Sequence, residues 1–132
     1  MKTIQNKINE IKDTLHSFPD NRMGLEYMMD LGKESQKNYP KEDRTEENFI
    51  HGCTSMAWIK LENKNPIKIN TVSDSLMVSG ILYLLEMVFN GEPKSSIDIY
   101  NGQDLIDGLG LQETISSQRL RGFAEAIRLM KQ

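Results

Sequence analysis

Hydrophobic residues return with helical spacing towards both ends of this chain and with period two in its middle. Ile4, Ile8, Ile11 and Leu15 are spaced four, three and four, which lays them along one stripe of a short amphipathic helix whose other faces carry Lys7, Glu10, Lys12 and Asp13. The stretch FPDN ends it. A second helix is expected from about Asn21, with Leu25, Met28, Met29 and Leu31 as its apolar side, fading into the polar GKESQKNYPKEDRTEEN, expected as a solvated loop. From Met56 the period changes. MAWIKLE and PIKINTV read as two antiparallel strands, the second alternating Ile67, Ile69 and Thr71 against Lys68 and Asn70, and NKNP is suited to the turn between them. Pro66 then belongs at the start of its strand, because it has no N–H to give to a ladder.

The strongest helix signal is SDSLMVSGILYLLEMVFNGEP. Ser73 or Asp74 can cap its start, and Leu76, Val78, Ile81, Leu82, Leu84, Leu85, Val88 and Phe89 make it apolar nearly all round, as a core helix should be. Asn90-Gly91 followed by Pro93 stops it. SIDIY reads as a short third strand, DLIDGLGL as a short apolar turn, and Leu120, Phe123, Ile127 and Met130 as the docked stripe of a last amphipathic helix. Helices first, a hairpin next and helices again lack the alternation of a parallel sheet. The expectation is one α+β domain over residues 1–132, a small antiparallel sheet of about three strands covered by helices.

Charge and composition narrow the function. The net charge is −3, from 16 basic and 19 acidic residues, so no positive field draws phosphate backbones and nucleic acid is a poor partner. No apolar run approaches the roughly 20 residues a membrane helix needs, and MKTIQNKINEIKDTL mixes charges with aliphatics where a signal peptide would be apolar. A cytoplasmic protein without a membrane contact is expected. One cysteine cannot form an internal disulfide, and with only two histidines, His16 and His51, far apart in sequence, it cannot complete a structural zinc site. There is no phosphate-cradling glycine loop and no carboxylate-histidine cluster, and Ser55 has no evident base but His51.

Cys53 is therefore the one group with chemistry to offer. It follows a charge-rich loop and precedes the first strand; Gly52 frees the backbone before it, and Thr54 and Ser55 are too small to wall off the sulfur. Free cysteine is also among the most buried residue types, so a packing role stands beside the reactive one. Met56 and Trp58 are expected in the wall around the thiol loop.

The stretch NFIHGCTSMAW resembles the signature of the SufE-like sulfur acceptor family, carried here by Gly52, Cys53, Ser55, Ala57 and Trp58. Beyond an N-terminal amphipathic helix over 1–17, the likeness spans 18–132. It includes Arg44, Asn48 and Ile50 before the cysteine, SDSLMVSGIL at the core helix, and Leu109, Gly110, Leu111, Arg119 and Gly122 near the end. It departs at Ser117, Ala57 and Ser79, where proline, valine and lysine are frequent.

The resemblance implies a SufE-like two-layer fold and a sulfur-relay function. Cys53 would take persulfide sulfur from a PLP-dependent cysteine desulfurase of the SufS or CsdA type and pass it towards an iron–sulfur scaffold. The chain would hold no cofactor of its own beyond a transient persulfide, PLP being the partner's. It would be a carrier and activator rather than an autonomous enzyme, and a monomer or weak homodimer. His51 can stabilise the thiolate or persulfide, or be an ordinary loop histidine. Arg119 can lie near Cys53 or meet the desulfurase, or pair on the surface with Glu113 or Glu125. The alternative is a docking module in which Cys53 only packs.

Overall fold

The computed structural model describes residues 2–132. Helix α1 (Ile4–Ser17) starts where Thr3 and Asn6 bond reciprocally, the Thr3 hydroxyl accepting from the Asn6 N–H at 3.0 Å and the Asn6 side chain from the Thr3 N–H at 3.2 Å. Its stripe of Ile8, Ile11 and Leu15 is buried as the spacing requires. Helix α2 (Asn21–Asn38) is capped by Asp20, which accepts from the Met23 N–H at 3.0 Å.

Helix α2 runs on through residues expected as loop. Its second half buries Gly32 and Ser35 instead of large apolar side chains, so hydrophobic period carries no trace of it. Gly32 meets helix α3 (Leu76–Phe89) at backbone contact: a β-carbon on Gly32 would stand 2.1 Å from the Leu76 carbonyl oxygen, and one on Gly80 would stand 1.8 Å from that of Met28. One turn on, the Ser35 hydroxyl donates to the Thr71 carbonyl at 2.6 Å and accepts from the Ser79 hydroxyl at 2.8 Å. Ser79 is fully buried in this seam. The cap of α3 is Ser75, not Ser73 or Asp74: Ser75 Oγ accepts from the Val78 N–H at 3.3 Å.

Strands β1 (Ala57–Lys64) and β2 (Ile67–Ser73) form the expected hairpin, with Trp58 opposite Val72, Lys60 opposite Asn70 and a bulge between Leu61 and Asn63. The sheet has two strands, not three. The first four residues of SIDIY lie in a 3-10 turn, Lys94–Ile99, that Tyr100 ends, and the far edge of β2 that a third strand would occupy is taken group by group. Ile67 bonds through N–H to the Glu92 carbonyl (2.7 Å) and through its carbonyl to the Gly91 N–H (2.8 Å). The Asn90 side chain serves both groups of Ile69 at 2.8 and 3.1 Å. Glu86 and Ser35 serve Thr71; Ser79 and Gln36 serve Ser73. Polar side chains of α2 and α3, the Asn90 side chain that follows α3 and the backbone of residues 91–92 thus do the work of a strand and seal an edge that would otherwise invite pairing.

Helix α4 (Gly102–Leu109), where a turn was expected, is capped by Asn101 and ends at Gly110 in the left-handed conformation, φ 69°. Helix α5 (Ser117–Met130) buries Leu120, Phe123, Ile127 and Met130, as its spacing foretold. The helices and one face of the hairpin share a core around Ile69, Leu82, Leu85, Phe89 and Phe123. Tyr39, Trp58 and Val72 form a smaller cluster on the other face, with Phe49 against it. The α+β class stands, with two strands instead of three.

Candidate functional site

Residues 39–50 lie across the outer face of the hairpin as a strap, and their polar groups tie it down. The Tyr39 hydroxyl and the Asn48 amide both donate to the Asp43 carbonyl, at 2.7 and 2.9 Å, and Lys60 reaches the Asp43 carboxylate at 2.9 Å. Burial, aided by nearby Asp43, pushes the Tyr39 phenol up to about 12, so it remains a donor throughout the physiological range. Arg44 spans two elements, pairing with Asp74 at 2.9 Å while its guanidinium lies 5.2 Å from the centre of the Trp58 ring. Phe49 stands edge-on to Trp58 with centroids 5.8 Å apart, and His51 edge-on to Phe49 at 4.9 Å. Arg44, Trp58, Phe49 and His51 thus form a column that ends at the first of residues 51–56.

Those residues make a loop with pinned ends. Where it closes, the Ile50 N–H donates to the Ala57 carbonyl at 2.8 Å. At its exit the Met56 carbonyl accepts from the Asp74 N–H at 3.0 Å and from the Ser73 hydroxyl at 2.8 Å. Between these pins Gly52 has φ 85°, the left-handed region, and nothing lies within 4 Å of the place a β-carbon would take. Glycine is there for conformation and not for space.

Cys53 follows, half-buried, with its side chain against the main core. Its sulfur rests on α5 at Gly122, where a β-carbon would stand 2.7 Å from Sγ. The absent side chain of Gly122 is the seat of the thiol. Arg119 is one helical turn before that seat and exposed, and Ser55 is half-buried within the loop.

The structure brings Gly52, Cys53 and Ser55 together in the loop and sets it on α5, the helix that carries Arg119. Arg119 makes neither surface pairing considered for it. Glu113 is bound to His16 at 2.9 Å and Glu125 to Arg128, whose guanidinium holds the Glu125 carboxyl below its ordinary value. Among the described residues Arg119 has no ion-pair partner. His51 is largely exposed; its Nε2 lies 3.4 Å from Glu46 Oε1. Trp58 is buried, but with Tyr39, Val72 and Phe49 on the other face of the hairpin from the core that Cys53 packs against, and Met56 is not buried: its carbonyl is fixed while 53% of its surface is exposed.

Sequence reasoning reached Gly122 only as part of a motif and missed its role. A glycine inside a strongly amphipathic helix costs about 1 kcal/mol and so asks for a reason, which was the available signal. The aromatic column had none, because Arg44, Phe49 and Trp58 are joined only by the fold.

Among the described residues no group of three or more His, Cys, Asp or Glu is placed to hold a metal ion, and no helix is long and apolar enough to cross a membrane. The family model described as SufE, Fe-S metabolism associated domain, matches residues 9–132. An uncharacterized SufE-like protein of Rhizobium meliloti is 31% identical over 110 residues, covering 80% of this chain and 78% of its own. The cysteine desulfuration protein SufE of Wigglesworthia glossinidia brevipalpis is 26% identical over 107 residues, 80% of this chain and 74% of its own. The SufE-like protein 1, chloroplastic/mitochondrial, of Arabidopsis thaliana is 27% identical over 127 residues, 95% of this chain but 34% of its own length.

Proposed function

Since the chain belongs to the SufE family of Fe-S metabolism associated domains, we propose that it is a sulfur acceptor, taking sulfur onto Cys53 from a PLP-dependent cysteine desulfurase of the SufS or CsdA type. The observation that carries this reading is the placement of Cys53: a half-buried thiol, in a loop pinned at both ends, seated on the one residue type that leaves room for it. That arrangement shelters a sulfur without enclosing it.

The Cys53 thiolate attacks the outer sulfur of the donor's persulfide. The donor's S–S bond breaks and its cysteine leaves as thiolate, while a new S–S bond forms on Cys53. One S–S bond is exchanged for another, so no outside oxidant or reductant is consumed. Removing sulfur from the desulfurase frees it for another turnover, which is how a carrier also activates. The Cys53 persulfide then passes to an iron–sulfur scaffold by the same exchange. The chain itself holds no cofactor, and PLP stays with the partner. A thiol kept for this chemistry implies a reducing compartment.

Sulfur exchange requires Cys53 to leave Gly122. With Ile50 tied to Ala57 and Met56 tied to Ser73 and Asp74, that motion belongs to residues 51–55. Arg119, one helical turn before the seat and without a counter-ion among the described residues, and His51, at the loop's entry, flank this segment. Faster amide exchange at 51–55 than at 57–60 is the expected signature, and uniform slow exchange across both would contradict it.

The test is to mix the protein with a cysteine desulfurase and free cysteine and weigh the intact chain. Wild type gains one or more sulfur atoms and Cys53→Ser gains none. A second reading, a docking module in which Cys53 only packs, draws on the side chain's contact with the core. In that case neither chain gains mass, and Cys53→Ala still stimulates the desulfurase.

A further inference from the structure

Of the large apolar side chains that the fold leaves exposed, Met23 lies on α2, Met87 on α3 and Ile99 in the turn after α3; Met56 alone lies in the thiol loop. Three features set it apart from a stray surface methionine. Its backbone is fixed, because the Met56 carbonyl is held by both the Ser73 hydroxyl and the Asp74 N–H, so the side chain leaves the surface from a rigid point three residues after the reactive sulfur. It carries no packing role that would require an apolar residue, being 53% exposed while its neighbours Ala57 and Trp58 are buried. The elements that the loop touches are charged: the strap exposes Glu46 at the His51 contact, with Lys41, Glu42 and Glu47 also exposed along it, and α5 exposes Arg119 and Arg121 ahead of the Gly122 seat. A central apolar side chain in a polar, two-signed rim is the anatomy of a protein contact surface, and a flexible, polarizable thioether suits an anchor that must seat beside a moving loop.

We propose that Met56 is the apolar anchor of the surface that docks the sulfur donor, and that the rim orients the donor by charge. The inference rests on the reading of Cys53 as sulfur acceptor and names what recognises the donor. The partner it fits is a desulfurase with an apolar depression beside its own persulfide, flanked by basic groups facing the strap and acidic groups facing α5. Met56 stays at the boundary of the exchange while Cys53 moves, excluding water from the two sulfurs without touching them. It is thus a positioning residue. Glu46 and Glu47 act earlier, on encounter, where opposed charges raise the association rate.

The experiment titrates a cysteine desulfurase with wild type, Met56→Ser, Met56→Leu and Glu47→Lys, reading binding by fluorescence anisotropy of the labelled desulfurase and sulfur transfer by its stimulated rate. Met56→Ser is expected to raise both the dissociation constant and the half-saturating concentration at least tenfold, about 1.4 kcal/mol, with the plateau rate unchanged. Met56→Leu restores both to near wild type. Glu47→Lys slows association at low salt, and the difference fades as salt screens it. Alkylation of Cys53 by iodoacetamide and thermal melting are expected to match wild type in Met56→Ser, which separates docking from an effect on the thiol or the fold. Wild-type affinity in Met56→Ser, or a lowered plateau at unchanged half-saturation, overturns the anchor. If wild type binds and Met56→Ser does not, yet no chain gains sulfur, the acceptor reading falls and the anchor stands. If wild type itself does not bind, both fall.

Discussion

The Cys53 sulfur sits over the α-carbon of Gly122, so close that a β-carbon on that residue would lie 2.7 Å from Sγ and 3.4 Å from the Cys53 β-carbon. Helix α5 is thus indented at one residue, and the thiol loop closes into the indentation. Nothing else in the loop spans to α5 by a hydrogen bond among the described residues, so the sulfur is the loop's own latch.

Gly122→Ala fills the indentation. Two effects oppose each other: alanine favours the helix by about 1 kcal/mol, and overpacking costs about 1–3 kcal/mol. Here the crowded neighbour is the end of a short side chain on a glycine-containing loop, which can give way. The expected outcome is a fold within about 1 kcal/mol of wild type by denaturant titration, with Cys53 displaced and alkylated by iodoacetamide several-fold faster. An unchanged alkylation rate in a folded variant would show that Gly122 does not hold the thiol.

Gly52→Ala isolates conformation from space, since nothing lies within 4 Å of the new methyl group while φ is 85°. Holding alanine in the left-handed region costs about 1–2 kcal/mol, and asparagine tolerates that region better. Gly52→Ala is therefore expected to lower stability by about that amount, or to let the loop reshape and lose it in altered alkylation of Cys53. Gly52→Asn is expected to lie between alanine and wild type. Identical behaviour of all three chains would remove the backbone argument.

How much of this was legible in the sequence follows from which residues do the packing. Helices α1, α3 and α5 announce themselves because large side chains such as Ile11, Leu85 and Phe123 fill the core at helical spacing. The second half of α2 was invisible because it packs through Gly32 and Ser35, where closeness of backbones replaces apolar area. The missing third strand has a related cause. SIDIY has strand-like residues, but the edge it would join is already satisfied by Asn90, Glu86, Ser79 and Gln36, and a sequence pattern does not show which hydrogen bonds are spoken for. Cys53 and Gly52 were legible through a local motif; the seat on Gly122, distant in sequence, was not.

The α2–α3 seam yields a severe prediction. Gly80→Ala would place a β-carbon 1.8 Å from the Met28 carbonyl oxygen, and backbone cannot yield as a side chain can. Alanine's helix preference of about 1 kcal/mol is small beside forcing two helices apart along a buried seam. Loss of cooperative unfolding, or destabilisation of about 4 kcal/mol or more, is expected by thermal and denaturant melting. A variant as stable as wild type would mean the helices do not cross at this distance.

Glu86 supplies the pH dependence. On the last turn of α3 its carboxylate accepts from the Thr71 N–H at 2.9 Å and the Thr71 hydroxyl at 2.6 Å, sealing one position of the β2 edge. Burial raises its pKa from 4.5 to about 7; the two bonds from Thr71 and the charge of Lys68 pull it down, Glu62 pushes it up, and burial wins. Between those two values the folded chain binds the proton and the unfolded chain does not, so stability falls as pH rises. The favourable contribution is fully present below about 4.5 and is lost as pH passes 7, a swing on the order of 3 kcal/mol. Glu86→Gln keeps an oxygen for both Thr71 donors and removes the charge. Its stability is expected to vary less between pH 4.5 and 7 than that of wild type, and to exceed wild type at pH 8, where the native carboxylate is ionised and desolvated. Denaturant midpoints taken across that range decide it, and parallel curves for the two chains would assign the slope to other groups.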